Sequence, residues 1–135
     1  MKWKVDKMSF KKYITQYEPI KFEDSRGHLK VLSEDNQLGV SYKESFSKKG
    51  VFRGMHIQSP PYSQVKHIRV LQGSITDYVI ILDRRNKDFG KTFSRNIDAS
   101  ESIFIIPHYC AHGFYANEET VLRYICIGHY SEEHE

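Results

Sequence analysis

The fold is decided by the stretch Val65-Lys-His-Ile-Arg-Val-Leu-Gln72, the following Gly73, and Ser74-Ile-Thr-Asp-Tyr-Val-Ile-Ile-Leu82. Both segments are rich in β-branched residues, and the glycine between them is a turn signal. Side chains alternate between the two faces of a strand, so Asp77 shares a face with Ile75 and Val79, which are typical of a core. The stretch therefore predicts two consecutive strands, one of which carries an acidic residue among apolar neighbours.

Further short strands are predicted on both sides of this stretch, separated by turn residues. They span residues 28–33, 40–46, 51–58, 91–97, 102–106, 110–115 and 120–127. No segment carries an apolar stripe with a 3.6-residue period over three turns. We therefore expect an all-β fold, a sandwich or jelly-roll barrel, that forms a single domain over residues 1–135. Residues 1–20 are mixed in character and are expected to form an edge strand or a dimer arm.

Composition excludes several classes of partner. The formal charge of the 135 residues is +3, and the basic residues form no dense cluster, so nucleic-acid binding is not expected, whereas a ligand with phosphates would suit the charge. Cys110 and Cys126 belong to no CxxC pair and build no disulfide framework. Neither an apolar leader nor a membrane span is visible. We expect a cytoplasmic protein with reduced thiols and no membrane partner.

Polar side chains on the inward faces of the predicted strands indicate a site. His56 shares a face with Gln58, and Gln64 shares one with Lys66. Each polar residue alone has a structural explanation, such as a hydrogen-bonded histidine or a lysine that snorkels to solvent. Together they are costly to bury without partners, so their coincidence favours a functional pocket. The residues of this set are His56, Gln58, Gln64, Lys66, Asp77, His112, Tyr124 and Tyr130.

A metal site is not expected in this pocket. Many cupins bind a metal through a His-x-His pair, a following Glu and a third His. The corresponding residues here are His56, Gln58, Gln64 and His112, and amides are weak ligands for transition metals. We therefore predict cupin-like geometry with neither a metal nor another cofactor.

The block Arg53-Gly-Met-His56-Ile-Gln-Ser-Pro-Pro-Tyr-Ser-Gln64-Val-Lys66-His-Ile-Arg69-Val resembles the signature of the dTDP-4-dehydrorhamnose 3,5-epimerases, a family of cupin enzymes. Other blocks resemble this family in the same order and spacing, from about residue 22 to the end. They are Asp24-Ser-Arg26-Gly27, Gly73–Asp77, Asp83–Lys91, Ile106–Phe114 and Tyr124–Tyr130.

The resemblance implies an isomerase that acts on a 4-keto-6-deoxy hexose carried by a nucleoside diphosphate. The 4-keto group acidifies the C–H bonds at C3 and C5. His56 matches the general base, and Lys66 with Arg53 matches the pair of cations that stabilises the enolate oxygen. Tyr124 matches the acid that returns a proton to the opposite face of the sugar.

The resemblance also implies residues that bind the substrate. Tyr130 matches an aromatic residue that holds the sugar. His112 and Asp77 match polar residues of the same pocket, and of these two we assign Asp77 to the catalytic residues. Arg26 matches a residue that contacts the nucleotide diphosphate, within one chain or across a homodimer, the assembly we expect. Gln58 and Gln64 are predicted as further substrate contacts because of their shared faces.

The sequence departs from the family pattern at several places. In longer members a later Asp orients the catalytic His, and the sequence ends at Glu135 before that position. We therefore expect Asp77 or another carboxylate to replace it, or the base to be weaker. His108-Tyr109 stands where the family has Glu-Gly. Ser41, Lys43 and Val31 stand near places where the family has Gln, Asn and Glu.

Three other functions compete with the epimerase. A sugar 3,4-ketoisomerase is also a short cupin, but it usually carries His-x-His where this sequence has His56-x-Gln58. A non-catalytic cupin that binds a sugar nucleotide would not need His56, Lys66 and Tyr124 together. A metal-dependent cupin enzyme is disfavoured by the two amides.

Overall fold

A computed structural model describes residues 7–135, and the predicted edge strand or dimer arm over residues 1–20 lies partly outside them. Over these described residues, the chain forms one short helix, ten strands and a final 3₁₀ turn. Their bounds are α1 (Lys7–Tyr13), β1 (Ile20–Asp24), β2 (Gly27–Asp35), β3 (Val40–Ser47), β4 (Phe52–His56), β5 (Val65–Gln72), β6 (Ser74–Ile81), β7 (Thr92–Asp98), β8 (Phe104–Ile106), β9 (Cys110–Ala116), β10 (Thr120–Ile127) and the 3₁₀ turn Glu132–His134. Within residues 7–135, no helix has the length and apolar character needed to cross a bilayer.

The strands form two antiparallel sheets. The larger sheet has the order β1-β2-β3-β10-β5-β8, and the smaller one has the order β4-β9-β6-β7. Alternate apolar side chains from both sheets meet in a common core, as strand periodicity requires. The core residues are Ile68, Val70, Ile75, Ile97, Ile106, Cys110, Phe114 and Leu122. The all-β prediction is therefore confirmed.

Strand β10 lies at the centre of the larger sheet, and its register aligns polar side chains. Tyr124 is paired with Lys43 on β3 and with Ile68 on β5. Two residues further along, Cys126 is paired with Lys66. Because directly opposite residues share a face of the sheet, Lys43, Lys66 and Tyr124 all point toward the smaller sheet.

Close packing of β4 against β9 explains the glycine that precedes His56 in the sequence. Gly54 has a φ of +124°, and a Cβ at this position would lie 2.6 Å from the Cα of Gly113. A Cβ on Gly113 would in turn lie 2.8 Å from the carbonyl oxygen of Arg53. The two glycines therefore let the strands approach closely enough to place His56 opposite His112 in the register.

Candidate active site

A cavity of about 590 Å³ opens between the two sheets, a size that suits a small-molecule ligand. Every predicted site residue except Asp77 lines it. These residues are Arg26, Arg53, His56, Gln58, Gln64, Lys66, His112, Tyr124 and Tyr130. The smaller sheet contributes His56 through β4 and the larger sheet contributes Tyr124 through β10, so the two side chains lie on opposite walls.

His56 is paired with a carboxylate that the sequence motifs did not single out. Its Nδ1 lies 2.5 Å from Oε1 of Glu135, and both side chains are partly exposed. An ionised carboxylate only accepts hydrogen bonds, so its position beside Nδ1 favours the tautomer that carries its proton on Nδ1. In that tautomer of the neutral imidazole, the other ring nitrogen, Nε2, has a lone pair, which is the form a general base requires.

The second oxygen of Glu135 is also engaged. The hydroxyl of Tyr130 donates a hydrogen bond of 2.9 Å to Oε2. The ammonium of Lys43 lies 5.5 Å from the centre of the Tyr130 ring, within the range of a cation–π contact. One carboxylate thus joins the histidine to the aromatic residue at the mouth of the cavity.

Arg53 is held at the cavity wall by the neighbouring strand. Its guanidinium donates to Oγ of Ser47 at 2.8 Å and to the carbonyl oxygen of Phe46 at 3.1 Å. Burial, followed by the charge of Arg26, lowers the pKa of Arg53, which still leaves it charged at any working pH. Arg53 therefore supplies a fixed positive charge close to Tyr124, whose pKa it lowers.

Tyr124 is protonated over the physiological range. Burial raises its pKa well above the ordinary value for a phenol, and the nearby charge of Arg53 opposes this effect only in part. A buried tyrosine with an intact hydroxyl can donate a proton to a ligand in the cavity. It can do so only where the resulting phenolate is stabilised by a cation.

Lys66 combines burial with a positive charge. Removal from water is the main reason that its pKa is lowered, and the like charge of Lys43 lowers it further. The ammonium therefore costs stability in the folded protein. A cation held at such a cost, in a cavity, is typical of a functional site.

Replacing Lys66 by Met is expected to raise the free energy of unfolding at pH 7 by about 1 kcal/mol, because the buried charge is removed. This gain in the free energy of unfolding should shrink as the pH rises through the lowered pKa of Lys66. In that pH range folded wild type carries a neutral amine while unfolded wild type still binds the proton, so wild type itself becomes more stable. Urea denaturation at several pH values measures this. Lys48→Met, at an exposed lysine, is the matched control and should give no gain. A Lys66→Met variant less stable than wild type would contradict the interpretation.

Asp77 forms a buried pair with His112 and not with His56. Nε2 of His112 lies 2.6 Å from Oδ1 of Asp77, and each residue is only 7% exposed. Because His112 lines the cavity and Asp77 lies behind it, Asp77 is placed to orient His112. Of the carboxylates considered as a replacement for the family's later Asp, Glu135 lies beside His56 and Asp77 does not.

Gln58 and Gln64 are engaged in fastening the segment that follows β10. Oε1 of Gln58 accepts the backbone N–H of Ser131 at 2.9 Å, and Nε2 of Gln64 donates to the carbonyl oxygen of Gly128 at 3.0 Å. Both amides are buried, at 6% and 8% exposure. They line the cavity as predicted, but their polar atoms hold protein groups. Among residues 7–135, no group of three or more His, Cys, Asp or Glu side chains is placed to hold a metal ion.

Arg26 lies at the mouth of the cavity in the turn between β1 and β2. Its guanidinium contacts Oδ2 of Asp24 at 2.6 Å, and this hydrogen bond holds the pKa of Asp24 at about 2. About half of each side chain is exposed. Arg26 is therefore free to exchange this surface contact for an anionic ligand at little cost.

The two antiparallel sheets enclose a cavity, and both sheets contribute titratable side chains to it. This architecture is that of a cupin jelly roll. Within that class, the chain belongs to the dTDP-4-dehydrorhamnose 3,5-epimerase family, since the family model with this description matches residues 12–135. The predicted family is thus confirmed.

Individual relatives agree with this assignment. The dTDP-4-dehydrorhamnose 3,5-epimerase of Methanothermobacter thermautotrophicus is 33% identical over 128 residues, which cover 87% of this chain and 69% of the relative. The Bacillus anthracis enzyme of the same name, solved with TDP and PPi bound, has a TM-score of 0.66 at 30% identity, covering 87% of this chain and 73% of that one. The dTDP-6-deoxy-D-glucose-3,5-epimerase of Legionella pneumophila, in complex with dTDP-4-keto-L-rhamnose, has a TM-score of 0.66 at 28% identity, covering 87% and 68%. The chain spans between 39% and 69% of the lengths of the curated relatives it matches.

Proposed function

We propose that this protein epimerises a dTDP-linked 4-keto-6-deoxy sugar at C3, at C5 or at both. The observation that carries the proposal is the placement of His56 and Tyr124 on opposite walls of one cavity. A sugar ring between them presents one face to a base and the other to an acid. Inversion of a carbon centre through an enolate requires this arrangement.

The proton transfers follow from the states of the two side chains. Nε2 of His56 takes the proton from the carbon next to the keto group, and the electron pair of the broken C–H bond moves to the carbonyl oxygen as an enolate. Lys66 and Arg53 stabilise this oxyanion electrostatically. Tyr124, kept protonated by burial, returns a proton to the opposite face of the same carbon, and Arg53 stabilises the phenolate that remains.

The mouth of the cavity suits the diphosphate of the substrate. Arg26 and Lys43 add to the charges of Arg53 and Lys66, so the cavity carries an excess of positive groups over its two carboxylates, Glu34 and Glu135. Such a field attracts a ligand with two phosphates. The related structure with TDP and PPi and the one with dTDP-4-keto-L-rhamnose support a dTDP sugar in this class of pocket.

A homodimer is part of the proposal. Strand β1 forms one edge of the larger sheet, and all five of its residues are exposed, including Ile20 and Phe22. An exposed edge with apolar side chains is suited to pairing with a second chain. Both apolar residues also line the cavity, so a partner at this edge would lie close to the ligand.

Carbon-13 NMR of a uniformly labelled sugar tests the proposed reaction against its competitors. With dTDP-4-keto-6-deoxyglucose, we expect the carbonyl signal to remain at C4 while the signals of C3, C5 or both move to those of an epimer. Transfer of the carbonyl to C3 would make the protein a ketoisomerase. An unchanged sugar with the nucleotide bound would make it a binding protein, and either result would overturn the proposal.

Replacing Glu135 by Gln is expected to lower kcat by roughly 10- to 100-fold, by analogy with the loss of partners that orient metal-bound histidines. The amide keeps the size of the side chain but removes the charge that stabilises protonated His56. Initial rates of epimerisation measure the effect. Glu133→Gln, at an exposed residue of the adjacent 3₁₀ turn, is the matched control and should keep wild-type activity. Equal rates for the two variants would show that Glu135 does not assist the base.

A further inference from the structure

The last five residues, Ser131 to Glu135, are held by the connection between β4 and β5, residues 57–64. The backbone N–H of Ser59 donates to the carbonyl oxygen of His134 at 2.8 Å, and the Oγ of Ser59 donates to the same oxygen at 3.0 Å. The ring of Tyr62 packs against the ring of His134, with centroids 4.4 Å apart. We call this set of contacts, made by Ser59 and Tyr62 to His134, the clasp.

The clasp joins the two partners of the pair in the cavity. His56 is the last residue of β4 and immediately precedes the connection, while Glu135 immediately follows His134. Both ends of the contact between Nδ1 of His56 and Oε1 of Glu135 are thus anchored to the same eight-residue connection. The separation of the two side chains depends on how firmly His134 is held.

Apart from the clasp and the contact with His56, the segment 131–135 is held by hydrogen bonds at its two ends, from Ser131 N–H to Gln58 and from the Tyr130 hydroxyl to Glu135. Its 3₁₀ turn is three residues long and contains no buried residue, and the side chain of its N-cap residue, Ser131, makes no capping hydrogen bond to the turn. A single turn of this kind does not persist in water without external contacts. Within the segment, Nδ1 of His134 lies 2.8 Å from Oγ of Ser131, which presents the imidazole to Tyr62.

We propose that Ser59 and Tyr62 are positioning residues for the epimerase reaction, which fix the carboxylate of Glu135 against His56 without contacting the substrate. The inference rests on the proposed function, and it extends the reacting unit to two residues outside the cavity, since neither Ser59 nor Tyr62 lines it. Loosening the clasp leaves the other side chains of the cavity in place but lets the carboxylate of Glu135 move away from His56.

Tyr62→Ala tests the proposal through coupling with Glu135. We expect kcat to fall by about 10-fold with little change in KM, as for Glu135→Gln. The double variant should be no slower than Glu135→Gln alone, because both changes remove the same contribution. Tyr62→Phe should keep wild-type kcat, since the contact is made by the ring. Tyr115→Ala, at a residue that is 40% exposed on β9, is the matched control and should also be unaffected.

NMR of histidine side chains labelled with ¹⁵N separates this inference from the proposed function. In wild type, the Nδ1 proton of His56 should be protected and shifted downfield by the carboxylate, and Tyr62→Ala should remove this signal whether or not the sugar is turned over. Should Tyr62→Ala unfold, Ser59→Ala gives the same test, with partial loss because the backbone bond remains. A signal that persists in both variants, or kcat losses that multiply in the double variant, would overturn the proposal. A wild-type protein that shows the signal but no epimerisation would overturn the proposed function instead.

Discussion

His56→Ala is expected to lower the rate of proton exchange at C3 and C5 by roughly 10²- to 10⁴-fold, the contribution typical of a positioned general base. The reason is structural. Nε2 of His56 is the nitrogen left free by the contact of Nδ1 with Glu135, and it lies on the wall opposite Tyr124. Binding of dTDP should survive, because the cations at Arg26 and Arg53 are untouched. Deuterium incorporation in D₂O and calorimetric titration with dTDP measure the two effects.

His67→Ala is the matched control for this variant. His67 neighbours Lys66 on β5 and therefore points away from the cavity, toward the outer face of the larger sheet. The control should exchange substrate protons at the wild-type rate. Exchange that persists in His56→Ala at the rate of the control would show that another group is the base.

Tyr124→Phe is expected to separate exchange from inversion. His56 still removes the proton, and the enolate is still stabilised by Lys66 and Arg53, but no acid remains on the opposite wall. A proton returned by His56 restores the original configuration, so deuterium should enter the substrate while formation of the epimer falls by roughly 10²-fold or more. Proton NMR in D₂O shows both outcomes in one spectrum, since the isotope and the configuration are read at the same carbon.

Tyr78→Phe provides the comparison for this second variant. Tyr78 lies on β6 with the opposite parity to Asp77, and its ring packs against Phe52 on the outer face of the smaller sheet. It should form the epimer at the wild-type rate. Normal inversion in Tyr124→Phe would remove Tyr124 from the mechanism, and simultaneous loss of exchange and inversion would mean that it acts in the first step.

Strand periodicity predicted much of the fold because each strand has one buried face. The segments 65–72 and 120–127 were predicted with the bounds that β5 and β10 have. The predicted strand over residues 102–106 is shorter in the structure and begins at Phe104. Helix α1 was not predicted, since seven residues with three lysines carry no measurable apolar stripe. Of the edge strand expected within residues 1–20, the described part of the chain shows only the first residue of β1, Ile20.

Parity placed the side chains of the cavity, but it could not identify their partners. Because His56, Lys66 and Tyr124 each belong to a strand, parity predicted that their side chains face the same cavity. It could not show that the amides of Gln58 and Gln64 hold backbone groups of the segment after β10, since that depends on the path of a loop. Their predicted role as substrate contacts stays a prediction, and their observed role is structural.

Glu135 was missed for a related reason. The chain leaves the sheet at Ile127, so strand periodicity says nothing about the direction of residues beyond it. The side chain of Glu135 reaches His56 only because the 3₁₀ turn is folded back onto the connection after β4. The sequence indicated only that the base needs a carboxylate beside it. Asp77 was one candidate, but in the structure it pairs with His112.

The NMR spectrum of the sugar made by wild-type protein in D₂O tests the central claim most directly. It reports, at each carbon, the deuterium content and the configuration. A base and an acid on opposite walls predict deuterium at C3, at C5 or at both, and every carbon whose configuration is inverted must carry it. Inversion without deuterium, or a 4-keto sugar that leaves the protein with all of its protons and its original configuration, would contradict the account.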